Sequence, residues 1–134
     1  MSRRELTSHM VNGLNEVLKI EVLDEPGQGN ACHEYAISFR DERYGVDRSP
    51  LSDKFGRNCI IGFQDGPIAE AGVNGISNEA LLAIVEDRLA GFQAGQFACR
   101  ENACALTHLQ ECMMWLGKRT RDREQRGVEG TLVK

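Results

Sequence analysis

One row of side chains in the last third of this 134-residue chain has the chemistry to bind an anion. Steps alternating between three and four residues link Asn102, Ala105, Leu109, Cys112, Leu116, Arg119, Arg123 and Arg126, which places them along one face of one helix. The apolar part of such a row packs on a neighbouring helix. Arginines that continue it in register face either an anion or open space beyond the support. A guanidinium meets phosphate oxygens with two parallel N–H bonds, so a small phosphorylated molecule is the ligand class this row suits. The competing reading is a solvated helix end whose cations complement the helix dipole, and Arg121, off the row and beside Asp122, fits that description.

Charge distribution narrows the ligand further. The formal net charge is -4, which argues against wrapping a nucleic-acid duplex with its dense row of phosphates. Residues 118–134 nevertheless hold six cations against three acids, leaving +3 there and -7 on the remainder. Positive charge is local, as a small ligand requires. The five cysteines form an odd set without a CxxC pair, so a reduced, cytoplasmic protein is expected. No stretch approaches the ~20 apolar residues of a membrane span, and the opening residues lack the apolar run of a signal peptide, so no membrane partner is expected.

Other reactive residues carry less. Cys104, His108 and Cys112 share a helical face, and Cys32 or His33 would have to complete a zinc site, but the linear spacing matches no usual zinc motif. No acid is placed to orient His108 for nucleophilic work by a cysteine. Gly72-Val73-Asn74-Gly75 lacks the lysine and spacing of a phosphate-binding loop. The expectation is therefore no metal, no cofactor and no catalytic residue.

The elements that position the arginine row follow from periodicity. Residues 1–15 read as a flexible arm. Period-two alternation over 17–23 and 33–39 predicts strands, with Tyr35, Ile37 and Phe39 on one face, and residues 58–64 and 68–73 predict two more. A charged stretch over 40–56 with Gly45 and Pro50 reads as a surface loop. Ser77 or Asn78 caps a helix whose Leu81, Leu82, Val85, Leu89 and Phe92 recur at three and four, and Gly95 ends it. A longer helix runs from about Ala98 to about Arg126, with Gly127 as its C-cap. The expected class is α+β: an antiparallel sheet region over 16–76, then an antiparallel helical hairpin with a tail over 77–134, in one domain.

Unequal helix lengths have a consequence. At about 1.5 Å per residue the second helix is roughly 42 Å long and the first roughly 25 Å, so the arginines overhang while Phe92 and Asn102 stay near the tip. An aromatic face and an amide suit a purine, and arginines suit a pyrophosphate, yet one small ligand cannot touch both ends of a single hairpin. Two copies related by a two-fold axis would bring the arginine end of one beside the Phe92/Asn102 tip of the other.

At this point the runs Phe63-Gln64-Asp65-Gly66-Pro67-Ile68, Gly72-Val73-Asn74-Gly75, Leu81-Leu82-Ala83-Ile84-Val85, Phe92-Gln93-Ala94-Gly95, Cys99-Arg100-Glu101-Asn102 and Arg126-Gly127-Val128-Glu129-Gly130-Thr131 identify a resemblance. Together they resemble the Thoeris anti-defence sponges of the first type, phage proteins that share a helical-hairpin domain with the anti-CBASS cyclic-nucleotide sponges. The resemblance implies a non-enzymatic protein of the host bacterial cytoplasm that captures, without cleaving, a cyclic ADP-ribose isomer made by a TIR-domain defence enzyme. It carries base stacking and hydrogen bonding onto Phe92 and Asn102, and phosphate binding onto Arg119 and Arg123. A further arginine used by some members has no counterpart near Pro67. The resemblance also implies a homodimer or a hexamer built as a trimer of dimers, with cyclic di- or trinucleotides as ligands at separate sites. The alternative in another class is an enzyme hydrolysing ADP-ribose-like cyclic nucleotides, for which Glu101 or Glu129 would have to act.

Overall fold

A computed structural model of the chain describes residues 4–45 and 58–134, which form two compact units, residues 1–65 and 66–134. The first is a four-stranded antiparallel sheet in the order β1 (Arg4–Leu6), β2 (Leu18–Val22), β3 (Glu34–Phe39), β4 (Asn58–Gly62). A short helix α1 (Gly13–Val17), capped by the Asn12 side chain on the Asn15 N–H, leads straight into β2. Register pairs Leu18 with Phe39, Ile20 with Ile37 and Val22 with Tyr35, so the apolar alternation of the two central strands falls on one face. Tyr35 meets Phe63 edge-on at 5.6 Å, and Val17, Val22, Cys32 and Ala36 are buried.

The α+β class is borne out, with two changes in the elements. Residues 4–6 of the expected arm are an edge strand, paired Arg4 to Val22, Glu5 to Glu21 and Leu6 to Ile20. The like charges of Glu5 and Glu21 stand opposite each other, and Arg40 on Glu5 and Lys19 on Glu21 relieve them. Conversely, the expected strand over 68–73 is instead one helical turn, α2 (Ile68–Ala71). Its Ala-Glu-Ala composition favours helix, and Pro67 supplies an extended residue just before it. The loop expected over 40–56 lies mostly outside the described residues; of its start, Asp41 folds back on Arg43.

The second unit contains α2 and the hairpin of α3 (Asn78–Gln93) and α4 (Arg100–Gln125). Ser77 caps α3 through its hydroxyl on the Ala80 N–H, as its position before the first apolar repeat predicts. At the far end of α4 the Val128 N–H returns to the Arg123 carbonyl and the Gly127 N–H to Glu124, with Gly127 at φ +72°. That is a Schellman cap, which glycine adopts without steric cost. The tail it releases is tied to α2 where the Ala69 N–H meets the Gly130 carbonyl at 3.1 Å.

Candidate functional site

Two groups of candidate residues lie at opposite ends of the hairpin. At the tip, Phe92 sits in the last turn of α3, 40% exposed, with the Arg88 guanidinium 5.6 Å from its ring centre. The turn is closed by the Gln93 side-chain carbonyl, which accepts the Cys99 N–H at 3.1 Å. Cys99 then caps α4, its sulfur accepting the Asn102 N–H at 3.4 Å. Asn102 is half-buried in the first turn of α4.

Toward the other end of α4, Trp115, Lys118, Arg119, Asp122, Arg123, Arg126 and Lys134 surround an open depression of roughly 370 Å³. That volume is of the size that holds a small ligand. Lys118 and Asp122, one turn apart, pair at 2.7 Å and so largely neutralise each other. Arg119 is exposed and engages no carboxylate or carbonyl among the described residues. It shares the lining of the depression with four other cations and one carboxylate, a net positive setting that suits a multiply charged anion.

Arg123 is placed differently. It is 6% exposed, and its guanidinium donates to the carbonyls of Val128 at 2.9 Å, Thr131 at 3.0 Å and Val133. Its buried Nε makes no hydrogen bond and lies 3.6 Å from a Glu129 carboxylate oxygen. Arg126 likewise donates to the Lys134 carbonyl. The tail thus curls over the last turn of α4 and is held there by the two arginines of the row that come after Arg119.

The row read from sequence therefore divides. Asn102, Leu109 and Leu116 are half-buried and Arg123 is buried, whereas Ala105, Cys112, Arg119 and Arg126 are exposed. Residues seven apart share a side, so one half of the seam lies toward the hairpin's interior and the other is left open. Within one chain Asn102 and Arg119 are separated by about 25 Å of helix, and Phe92 belongs to the same end as Asn102. The single chain does not bring Phe92 and Asn102 together with Arg119 and Arg123.

Trp115 is the lining residue that sequence reasoning missed, while Lys118 and Lys134 entered it only as part of the local positive charge. A signal was there: Trp115 stands one turn before Arg119, on the open side shared with His108, Cys112 and Arg126. Cys104 and Cys112 are exposed thiols, and among the described residues no group of three or more His, Cys, Asp or Glu could hold a metal ion.

Comparison with known proteins bears out the resemblance. Residues 56–121 match the Acb2/Tad1 hairpin domain. A protein of Bacillus phage SBSphiJ7, "Thoeris anti-defense 1", is 54% identical over 81 residues. That alignment takes in 60% of this chain and 57% of the relative, so the match spans little more than half the relative's length.

Proposed function

We propose, from the match of residues 56–121 to the Acb2/Tad1 hairpin domain, that this chain is a phage anti-defence protein that captures a cyclic nucleotide signal and holds it without cleaving it. The ligand in this reading is a cyclic ADP-ribose isomer made by the TIR-domain enzyme of Thoeris immunity, and its capture in the host cytoplasm keeps the effector from being activated. The observation that carries the reading is the unpaired Arg119 in a cation-lined depression large enough for a small ligand. Phe92 and Asn102 are the base-binding residues, and Arg119 and Arg123 the phosphate-binding ones. Arg119 is ready as it stands; Arg123 reaches phosphate when one of its tail carbonyls gives way.

Two chains are part of the proposal. The only residue buried in residues 66–134, among those described, is Arg123, and the hairpin leaves Ile84 60%, Met114 54% and Val85 45% exposed. A hairpin with so little covered apolar surface gains stability by packing on another. An antiparallel homodimer, or a hexamer of three such dimers, supplies that cover and sets the tip of one chain against the arginines of the other. Cyclic di- and trinucleotides of CBASS immunity are further ligands in this reading, at separate sites.

The test is retention. Protein incubated with the products of an activated TIR enzyme is freed of unbound nucleotide, heat-denatured, and the supernatant resolved by chromatography and mass spectrometry. Release of intact cyclic ADP-ribose isomer supports a sponge. A hydrolysed product makes the protein an enzyme, and no retained nucleotide removes the reading.

A further inference from the structure

The open side of α4 carries an aromatic residue that the proposed capture does not use. Trp115 is the sole tryptophan of the chain, is 63% exposed, and lines the same depression as Lys118, Arg119 and Arg126. It stands four residues before Arg119 on one helix face, so the indole and the guanidinium are side-by-side neighbours, about 6 Å apart at Cβ. No described residue makes a ring contact with it. Leaving so large an apolar plane in water forgoes burial that any covering group would provide.

Every other side chain lining the depression is charged. A purely anionic ligand would use the cations and leave the indole wet, and a purely apolar one would leave the cations desolvated and unpaired. A phosphate joined to a flat heteroaromatic ring satisfies both. We infer that Trp115 is a nucleobase-stacking residue of the capture site, holding one face of the ligand's base on the same chain whose Arg119 holds its phosphate. The inference rests on the capture reading and changes what it requires: the arginine end of a single chain grips base and phosphate together, and the Phe92 ring of a second chain closes on the other face of the base. Recognition then depends on two aromatic planes with the base between them, which selects for a planar ring of nucleobase size.

Because Trp115 is the sole indole, its fluorescence reports this contact without labelling. Two probes separate base from phosphate: the purified nucleotide products of an activated TIR enzyme, and inorganic pyrophosphate. Expected with the wild-type protein is saturable quenching by the nucleotide and little by pyrophosphate, although pyrophosphate competes with the nucleotide. Trp115→Leu, which keeps an apolar side chain without the plane, loses about 10-fold or more in nucleotide affinity by calorimetry, and far less for pyrophosphate. Trp115→Phe recovers most of the loss. Equal nucleotide affinity in wild type and Trp115→Leu overturns the inference while leaving the capture reading intact. Equal losses for both probes, accompanied by a fall in oligomer mass by light scattering, also overturn it, by assigning Trp115 to contact between chains. No nucleotide binding to the wild-type protein overturns the inference and the capture reading together.

Discussion

Arg119 and Arg123 are one helical turn apart and have different surroundings, and substitution separates their roles. Arg119→Ala removes an exposed side chain with no internal partner, so its melting temperature stays within a degree or two of wild type. Its capture of nucleotide falls about 10- to 100-fold in calorimetry, the range of a charge-assisted phosphate bond worth roughly 1.5–3 kcal/mol. Arg123→Ala empties a cage of three tail carbonyls. Amide hydrogen exchange over residues 128–134 then rises sharply, with or without ligand, and Arg123→Lys does not restore protection because an ammonium cannot fork across three carbonyls. Periodicity put both arginines on one row, but it could not foretell which would turn inward. That depends on a tail whose path is set by Gly127 and by Gly130, where a Cβ would lie 3.0 Å from Ile68.

Asp24 offers a residue-scale test of the other unit. Its partial burial pushes the carboxyl up, but the backbone N–H groups of Glu34 and His33, with the His33 ring at 3.6 Å, outweigh this and leave its pKa below the usual 3.8. A depressed carboxyl stabilises the fold fully above its unfolded value, and that contribution disappears as pH falls through the lower folded value. Thermal melts therefore hold steady from pH 7 to about 5 and decline below pH 4. Asp24→Asn melts lower at pH 7 and shows a shallower decline in acid.

At the scale of elements, the caps make the helices predictable. Ser77 and Gly127 sit where local chemistry alone requires them, so both ends they mark were legible to within one or two residues. Gly127→Ala forces a side chain into a left-handed backbone and should destabilise the hairpin by about 1 kcal/mol, read as a shift in the urea midpoint with little change in slope. The misread elements lack such local marks. Arg-Glu-Leu over residues 4–6 has neither the length nor the alternation of a strand, and becomes one because β2 offers it an edge. Charged edge strands of this kind are common because they discourage pairing with other molecules, and the same charge hides them from a hydrophobicity pattern. Residues 68–71 mislead in the opposite sense, with apolar residues beside a turn but no second strand within the unit to pair with.

For the whole molecule, what the sequence made legible was an incompatibility: Phe92 and Asn102 belong to one end of a hairpin and Arg119 to the other. A second copy, as proposed, would resolve it, and a mixing experiment reads the arrangement by stoichiometry. Phe92→Ala and Arg119→Ala homodimers each contain two singly damaged pockets. A heterodimer of the two contains one intact pocket and one doubly damaged pocket if the site is shared between chains. Calorimetry on purified, differentially tagged heterodimers should find about one tight site per dimer. No gain over either parent would mean that the pocket is not shared in this way. Trp115 shares the register of Arg119, four residues before it, but a lone indole on a helix face that is otherwise polar sets up no periodicity of its own.

The order of strands in the sheet, which is the order of the chain, also bears on how the protein comes into being. Each strand pairs only with its neighbours in sequence, so no strand waits for a distant one, and the widest closure spans the residues between β3 and β4. Loop closure of that length has a small entropic cost, and chains of low contact order fold quickly. During synthesis all four strands are added to the chain before the first residue of α3. The sheet can finish folding on a still-tethered chain, while under the two-chain proposal the hairpin, with little apolar surface covered in a single copy, would wait for release and for the concentration at which two finished chains meet.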